Sequence, residues 1–309
     1  MKRLFVVFLP LVLVLTITGC QGYREIDSEY LISAIGFDKR EDNFLAYTEV
    51  LAISTEKKDS KSKVFWAKGK TPYEAVSNIA ALLPKTAVFD HCGTAIVSRS
   101  IEGEDLKGIM KYLYDTKNLN LGIYMFVSSD IQKLLDCESQ ALSVGYDIMA
   151  VILNMEKTSG IRFRNKYYEI ESRIIANGGF CLPVAESKED HPSISGQTVF
   201  VDYIPKISLS KDEAVLYNLL FSGSTGGAIE VSGKRCRVNS INTDLRENGT
   251  QLSVKIKCSY RNKKDNMNKQ IEKSVYKLIY KLKDTSALKP LGIYGAEKIL
   301  VEVSGNEDK

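Results

Sequence analysis

Two histidines serve the whole chain, His91 and His191, so any site built on imidazole must use one of them. His91 stands next to Cys92, and a His–Cys neighbour pair could serve a metal centre or an activated thiol. No HxxH, ExxH or CxxC pattern accompanies it. Neighbours in a strand also point to opposite faces, so the two side chains could not aim at one ion. His191 falls in the polar run ESKEDHPS at 186–193 and needs no chemical explanation. Gly223-Ser224-Thr225-Gly226-Gly227 has the look of a phosphate loop but lacks the Lys-Ser/Thr ending. It follows an expected helix and precedes an expected strand, the reverse of what amides aimed at an anion require. It reads as a helix C-cap and a turn. The carboxylates are scattered, with no close pair on apolar backing, and no GxSxG occurs. The expectation is a protein that is not an enzyme, with no catalytic, cofactor-binding or metal-ligating residue.

The one position whose surroundings specify a reaction is Cys20. Lys2 and Arg3 make a positive start, and Leu4 to Ile17 is apolar apart from Pro10 and Thr16. That run falls short of the roughly 20 apolar residues of a membrane-spanning helix. It ends in Ile17-Thr18-Gly19-Cys20, an aliphatic residue, two small residues and a cysteine, which is the shape of a bacterial lipobox. Small residues let the chain thread a peptidase, and the thiol takes a diacylglyceryl group through a thioether. The expectation is a signal peptide over 1–19 and lipidation at Cys20, with the following chain held on the outer face of a cell membrane. Five cysteines follow: Cys92, Cys137, Cys181, Cys236 and Cys258. Their spacing fits no zinc or redox motif, and they read mostly as small buried hydrophobes. Cys236 and Cys258 fall in neighbouring expected strands, where they could pair or remain thiols.

The rest of the chain must position whatever function there is. Its net charge of +4 falls to +2 without Lys2 and Arg3, too near neutral to mark a nucleic-acid binder. With 26% charged and 44% hydrophobic residues it reads as folded and globular. Residues 30–38 and 43–54 predict two strands around a polar turn, TEKKDSKSK at 55–63 a charged loop tip, and 64–67 a further strand. Thr71-Pro72-Tyr73-Glu74 predicts a capped helix start. Strands at 94–97 and 123–127 then alternate with helices at 102–114 and from Asp130, an α/β layer with partly parallel pairing. Helices are expected over 147–155 and 166–175. The run at 186–193 reads as a linker and the main boundary. After it come a strand at 197–201, a second capping box at Ser210–Glu213, and strands at 227–232, 234–245 and 250–260. Asn248-Gly249 is a hairpin turn between the last two. An amphipathic helix over 266–283 closes the pattern. The fold class is α+β, multi-domain, with an N-terminal α/β region and a C-terminal domain of antiparallel sheet plus helices. The expected division is 20–190, split again near 135–145, and 191–309.

The order of these segments is similar to the Ger(x)C family, the lipoprotein C subunits of nutrient germinant receptors in endospore-forming bacteria. Gly19-Cys20 is followed by Tyr23-Arg24-Glu25-Ile26 and then Ala34-Ile35-Gly36-Phe37-Asp38. Gly69-Lys70-Thr71-Pro72-Tyr73-Glu74-Ala75 opens a helix as the family's corresponding segment does, and His91 stands where members often carry a histidine. Tyr112-Leu113-Tyr114-Asp115 to Met125-Phe126-Val127-Ser128 resembles the family's helix-to-strand passage. Gly196-Gln197-Thr198-Val199-Phe200 through Leu209-Ser210-Lys211-Asp212-Glu213 resembles the opening of its C-terminal domain, and Leu291-Gly292-Ile293-Tyr294-Gly295 echoes a later segment. Two features depart from the pattern: Gln21 stands where members often have Trp, and the chain stops soon after Gly295, so the C-terminal domain is expected to be short. The resemblance implies a spore inner-membrane lipoprotein needed for germination. Its partners would be the receptor's A and B membrane subunits and, through Cys20, the lipid. It implies no directly bound small-molecule ligand. A lipid-anchored solute-binding protein is the alternative, and an envelope hydrolase would need a polar cluster that the sequence lacks.

Overall fold

The computed structural model describes residues 29–51, 62–117, 119–222, 226–231, 234–246, 251–260, 266–288, 293 and 298–307. β1 (Glu29–Arg40), β2 (Asn43–Val50) and β3 (Lys63–Gly69) form an antiparallel meander. β4 (Thr86–Val88) runs parallel beside the first residues of β1. β5 (Thr94–Ser98) and β6 (Tyr124–Ser128) add in parallel on the free side of β1. β7 (Gly179–Lys188), β8 (His191–Val201) and β9 (Ile204–Ser210) complete a nine-stranded sheet of order β3-β2-β1-β5-β6-β7-β8-β9, with β4 off that path.

Both faces of this sheet are covered. The helices are α1 (Pro72–Leu82), α2 (Gly103–Asp115), α3 (Ile131–Leu135), α4 (Val144–Ser159) and α5 (Tyr167–Asn177). Alternation along the strands sends Ile35, Phe37, Val97 and Val127 into one core with α1, α2 and α5. The intervening Ala34, Ile96 and Phe126 enter a second core with α3 and α4. That second core continues into a smaller unit, where α6 (Lys211–Phe221) and α7 (Met267–Asp284) pack on a four-stranded sheet. Its strands are β10 (Gly227–Val231), β11 (Lys234–Arg246), β12 (Gln251–Tyr260) and β13 (Lys298–Glu307), in that order. α4 bridges the two units. It starts against the large sheet and ends at Gly160, whose left-handed φ of +73° caps it, with Gly227 of β10 closely apposed.

The fold class is α+β as expected, with two differences of detail. The small sheet is mixed, because α7 carries the chain across its face and returns β13 parallel to β12. The run 186–193, expected as a linker, is a tight hairpin joining β7 to β8, so the expected break at 190/191 falls at a turn inside the large sheet. Glu189 and Asp190 both take positive φ, 52° and 59°, as a two-residue turn of this twist requires. Neither is Gly or Asn, so the composition reads as loop.

The expected helix starts are present, with different completeness. Thr71 Oγ1 accepts the Glu74 amide at 3.1 Å, but the Glu74 carboxylate takes the Lys70 amide at 2.7 Å instead of closing the box on Thr71. Ser210 and Glu213 exchange both bonds, at 3.3 and 2.9 Å. The Glu213 carboxylate also accepts from Lys281 Nζ at 2.8 and 2.9 Å, tying α6 to α7. Burial pushes the Glu213 carboxyl up, but Lys281 and the Ser210 donors outweigh it and hold it below the usual range. A depressed folded-state value means stability that is present above the unfolded value and lost as pH falls through the folded one. In paired chemical denaturations, the gap between the native chain and Glu213→Gln should be constant above the ordinary carboxylate range and shrink as the pH falls through that range and below it. A gap that stays constant down to the acid limit would show that the link contributes no charge-dependent stability.

Candidate functional site

His91 and Cys92 diverge, but in the turn segment ahead of β5 and not through the alternation of a strand. His91 is exposed on a turn, and its carbonyl accepts the Tyr146 hydroxyl at 2.9 Å. Cys92 is buried at 2% exposure, and burial pushes its thiol up to about 12. A thiol so protonated is a poor nucleophile and a poor metal ligand. Among the described residues no group of three His, Cys, Asp or Glu side chains is placed to hold a metal ion. Cys236 and Cys258 lie on the inner face of β11 and β12 and remain thiols. A hydrogen bond to Cys258, then burial, pushes the Cys236 thiol up. Cys137 and Cys181 are also buried thiols. Residues 223–225 of the glycine-rich run, Asn248-Gly249 and Cys20 lie outside the described residues.

The most concentrated polar chemistry is one that the motifs did not point to. Glu49 of β2 is fully buried. Its Oε1 accepts the Val144 amide and the Ser62 hydroxyl, both at 2.7 Å. Its Oε2 accepts the Gly145 amide at 2.9 Å and the Ser33 hydroxyl at 2.8 Å. The first two amides of α4 therefore end on a carboxylate projecting from the sheet, and Ser143 Oγ takes the third, from Tyr146, at 3.3 Å. The positive end of the helix macrodipole favours an anion there. Gly145 permits the approach: a Cβ would stand 2.7 Å from Ala34 Cβ and 3.1 Å from Glu49 Oε2. With four donors on two oxygens, the carboxylate is fully engaged in tying helix to sheet and has no capacity left for a substrate.

Two depressions lie at opposite ends of the parallel strands. At the C-terminal end, where α/β sheets often hold ligands, Ser128, Asp130, Lys133 and Glu186 line a space of about 350 Å³. Several of its polar groups have partners in the protein. Ser128 Oγ donates to the Asp130 carbonyl at 3.2 Å, Asp130 Oδ1 accepts the Lys133 amide at 2.9 Å, and Glu186 pairs with Arg99 at 3.0 Å. At the other end Tyr114, Leu121, Tyr167, Tyr168 and Ile175, with Glu171 and Ser172 among them, line a largely apolar groove of about 420 Å³ between α2 and α5. In the groove the Tyr167 hydroxyl lies 3.1 Å from both Glu171 Oε1 and the Met110 carbonyl, a structural tie between α5 and α2.

A family model described as the spore germination protein N-terminal domain matches residues 22–187. That is more than half of the chain, which therefore belongs to the Ger(x)C family of spore germination proteins. The solved crystal structure of the GerBC protein is similar over 89% of this chain and 97% of that one, at 11% identity and a TM-score of 0.45. None of the curated proteins matches the chain.

Proposed function

We propose that this chain is the lipid-anchored subunit of a nutrient germinant receptor, held on the outer face of the spore inner membrane and acting by assembly with the receptor's A and B membrane subunits. The observation that carries this reading is membership of the spore germination family, through a domain spanning residues 22–187. Two further features support it. Ile17-Thr18-Gly19-Cys20 supplies an attachment chemistry, and no helix among the described residues is long and apolar enough to cross a membrane. The role is non-catalytic: the polar groups described above bind one another, and the protein contributes surfaces instead. A lipid-anchored solute-binding protein needs two similar lobes around a hinge, whereas the nine- and four-stranded sheets differ in size and order.

Deleting the gene and scoring spores in a panel of nutrients, and separately with a non-nutrient trigger, tests the reading. Loss of the response to one set of nutrients with the non-nutrient response intact is the expected result. Normal germination in every nutrient would overturn it.

A further inference from the structure

We propose that the end of the large sheet at which β1 begins is the membrane-facing end of the protein, and that its exposed apolar side chains rest in the headgroup boundary of the bilayer. The inference builds on lipid anchorage at Cys20 and adds an orientation to it.

The end is defined by the strands. β1, β4, β5 and β6 point the same way: Thr86 of β4 is level with Glu29, and β5 and β6 begin further along, at Ala34↔Thr94 and Thr94↔Tyr124. α1 and α2 return to that edge before β4 and β6 begin, and α5 starts there, with the Tyr168 amide on the Leu121 carbonyl at 3.2 Å. Glu29 is the first described residue, nine residues beyond Cys20. Nine residues span at most about 30 Å when fully extended. An anchored Cys20 therefore holds the start of β1 within about 30 Å of the lipid, and the side chains around that edge decide which face turns to it.

The side chains at the edge suit that neighbour. Leu82 is 60% exposed, Tyr114 65%, Leu121 38% and Tyr168 49%. The last three share the 420 Å³ apolar groove, which Ile175 extends at 82% exposure. Single exposed apolar residues are ordinary, but a cluster around a groove marks a contact surface. Two lysines lie over tyrosine rings at the strand starts, Lys85 on Tyr30 at 5.4 Å and Lys166 on Tyr124 at 5.1 Å. Tyrosine and lysine with apolar stems and polar tips are the side chains that settle at a membrane–water interface. The opposite edge is richer in charge: Lys39 pairs with Asp105 and Arg99 with Glu186, and Asp38 and Asp130 accept the backbone amides of Lys39 and Lys133.

The test uses the lipidated full-length protein in vesicles of phosphatidylcholine and phosphatidylglycerol whose acyl chains carry bromine, a contact quencher of tryptophan. The natural Trp66 is first removed as Trp66→Phe. Leu121→Trp or Tyr168→Trp then reports the proposed edge, and Tyr280→Trp reports α7. All three sites are exposed, so the substitutions leave the cores intact. Emission from the edge reporters should fall at least about twofold relative to unbrominated vesicles while Tyr280→Trp is unchanged, because interfacial side chains reach about 5–10 Å into the boundary. Edge reporters that stay bright on protein sedimenting with the vesicles would overturn the orientation and leave the anchorage standing. Protein that stays in the supernatant would refute the anchorage, and the orientation with it. Concentration-dependent blue shift of the edge reporters without vesicles would assign the edge to a second copy of the chain and overturn the membrane contact.

Discussion

Replacing Glu49 with alanine is expected to destabilise the protein by about 3–5 kcal/mol, the range for removing one partner from a buried charged network. The substitution removes two oxygens that together accept four hydrogen bonds. The hydroxyls of Ser33 and Ser62 can turn elsewhere, but the Val144 and Gly145 amides are fixed by the helix and face a cavity. Glu49→Gln distinguishes this account from simple loss of packing. It preserves size yet offers one accepting oxygen, and its NH₂ group meets donors. It should therefore lose more than half as much stability as alanine. Gly145→Ala probes the same joint from the helix side, by pushing a methyl group into Ala34 and the carboxylate. Because both changes strike one contact, their effects should not add in the double variant. Chemical denaturation of the purified chain measures all four species. A Glu49→Gln protein within about 0.5 kcal/mol of the native one, the size of an ordinary surface substitution, would show that the carboxylate is not what holds α4 to the sheet.

Glu49 also shows what the sequence could and could not disclose. Along β2 the residues Leu45, Tyr47 and Glu49 share one face by the period of two, and Leu45 and Tyr47 belong to the second core. A glutamate in phase with core residues is a legible anomaly, but its partners are not. Val144 and Gly145 lie almost a hundred residues away, and only the fold brings their amides to it. The same division holds elsewhere. α1, α2, α4, α5, α6 and α7 announce themselves by apolar spacing and by Thr71, Ser210 and Gly178 at their ends. β7 hides because Pro183 interrupts it, and it pairs with β6 at a single position, Val127↔Val184, so it lacks the pattern of a central strand. β9 joins β8 through Asp202 and Tyr203, both at positive φ without the usual turn residues. The apolar groove was equally hidden: Tyr114, Leu121 and Tyr168 come from three segments, and each alone looks like an ordinary surface residue.

Replacing Cys20 with alanine should move the protein from the membrane fraction to the soluble one and sharply weaken nutrient germination. Each buried methylene of an acyl chain contributes about 0.8 kcal/mol, and one chain of ordinary length gives only marginal, reversible attachment. A diacylglyceryl group supplies two chains, so its removal costs many orders of magnitude in partitioning. The exposed residues at the start of the large sheet cannot replace it, since side chains resting in the headgroup region bury far less hydrocarbon than two acyl chains do. Under the proposed function, anchorage would turn docking onto membrane partners into an encounter at high effective concentration. A detached protein would have to find them from solution. The substitution leaves the described fold untouched, since residue 20 lies ahead of Glu29, so a defect reports on attachment and not on folding. Fractionating spores carrying Cys20→Ala, alongside a germination assay in the responsive nutrients, separates the two links. Protein that stays with the membrane would refute lipid anchorage. Protein that is released while germination proceeds at the native rate would show that assembly does not depend on it.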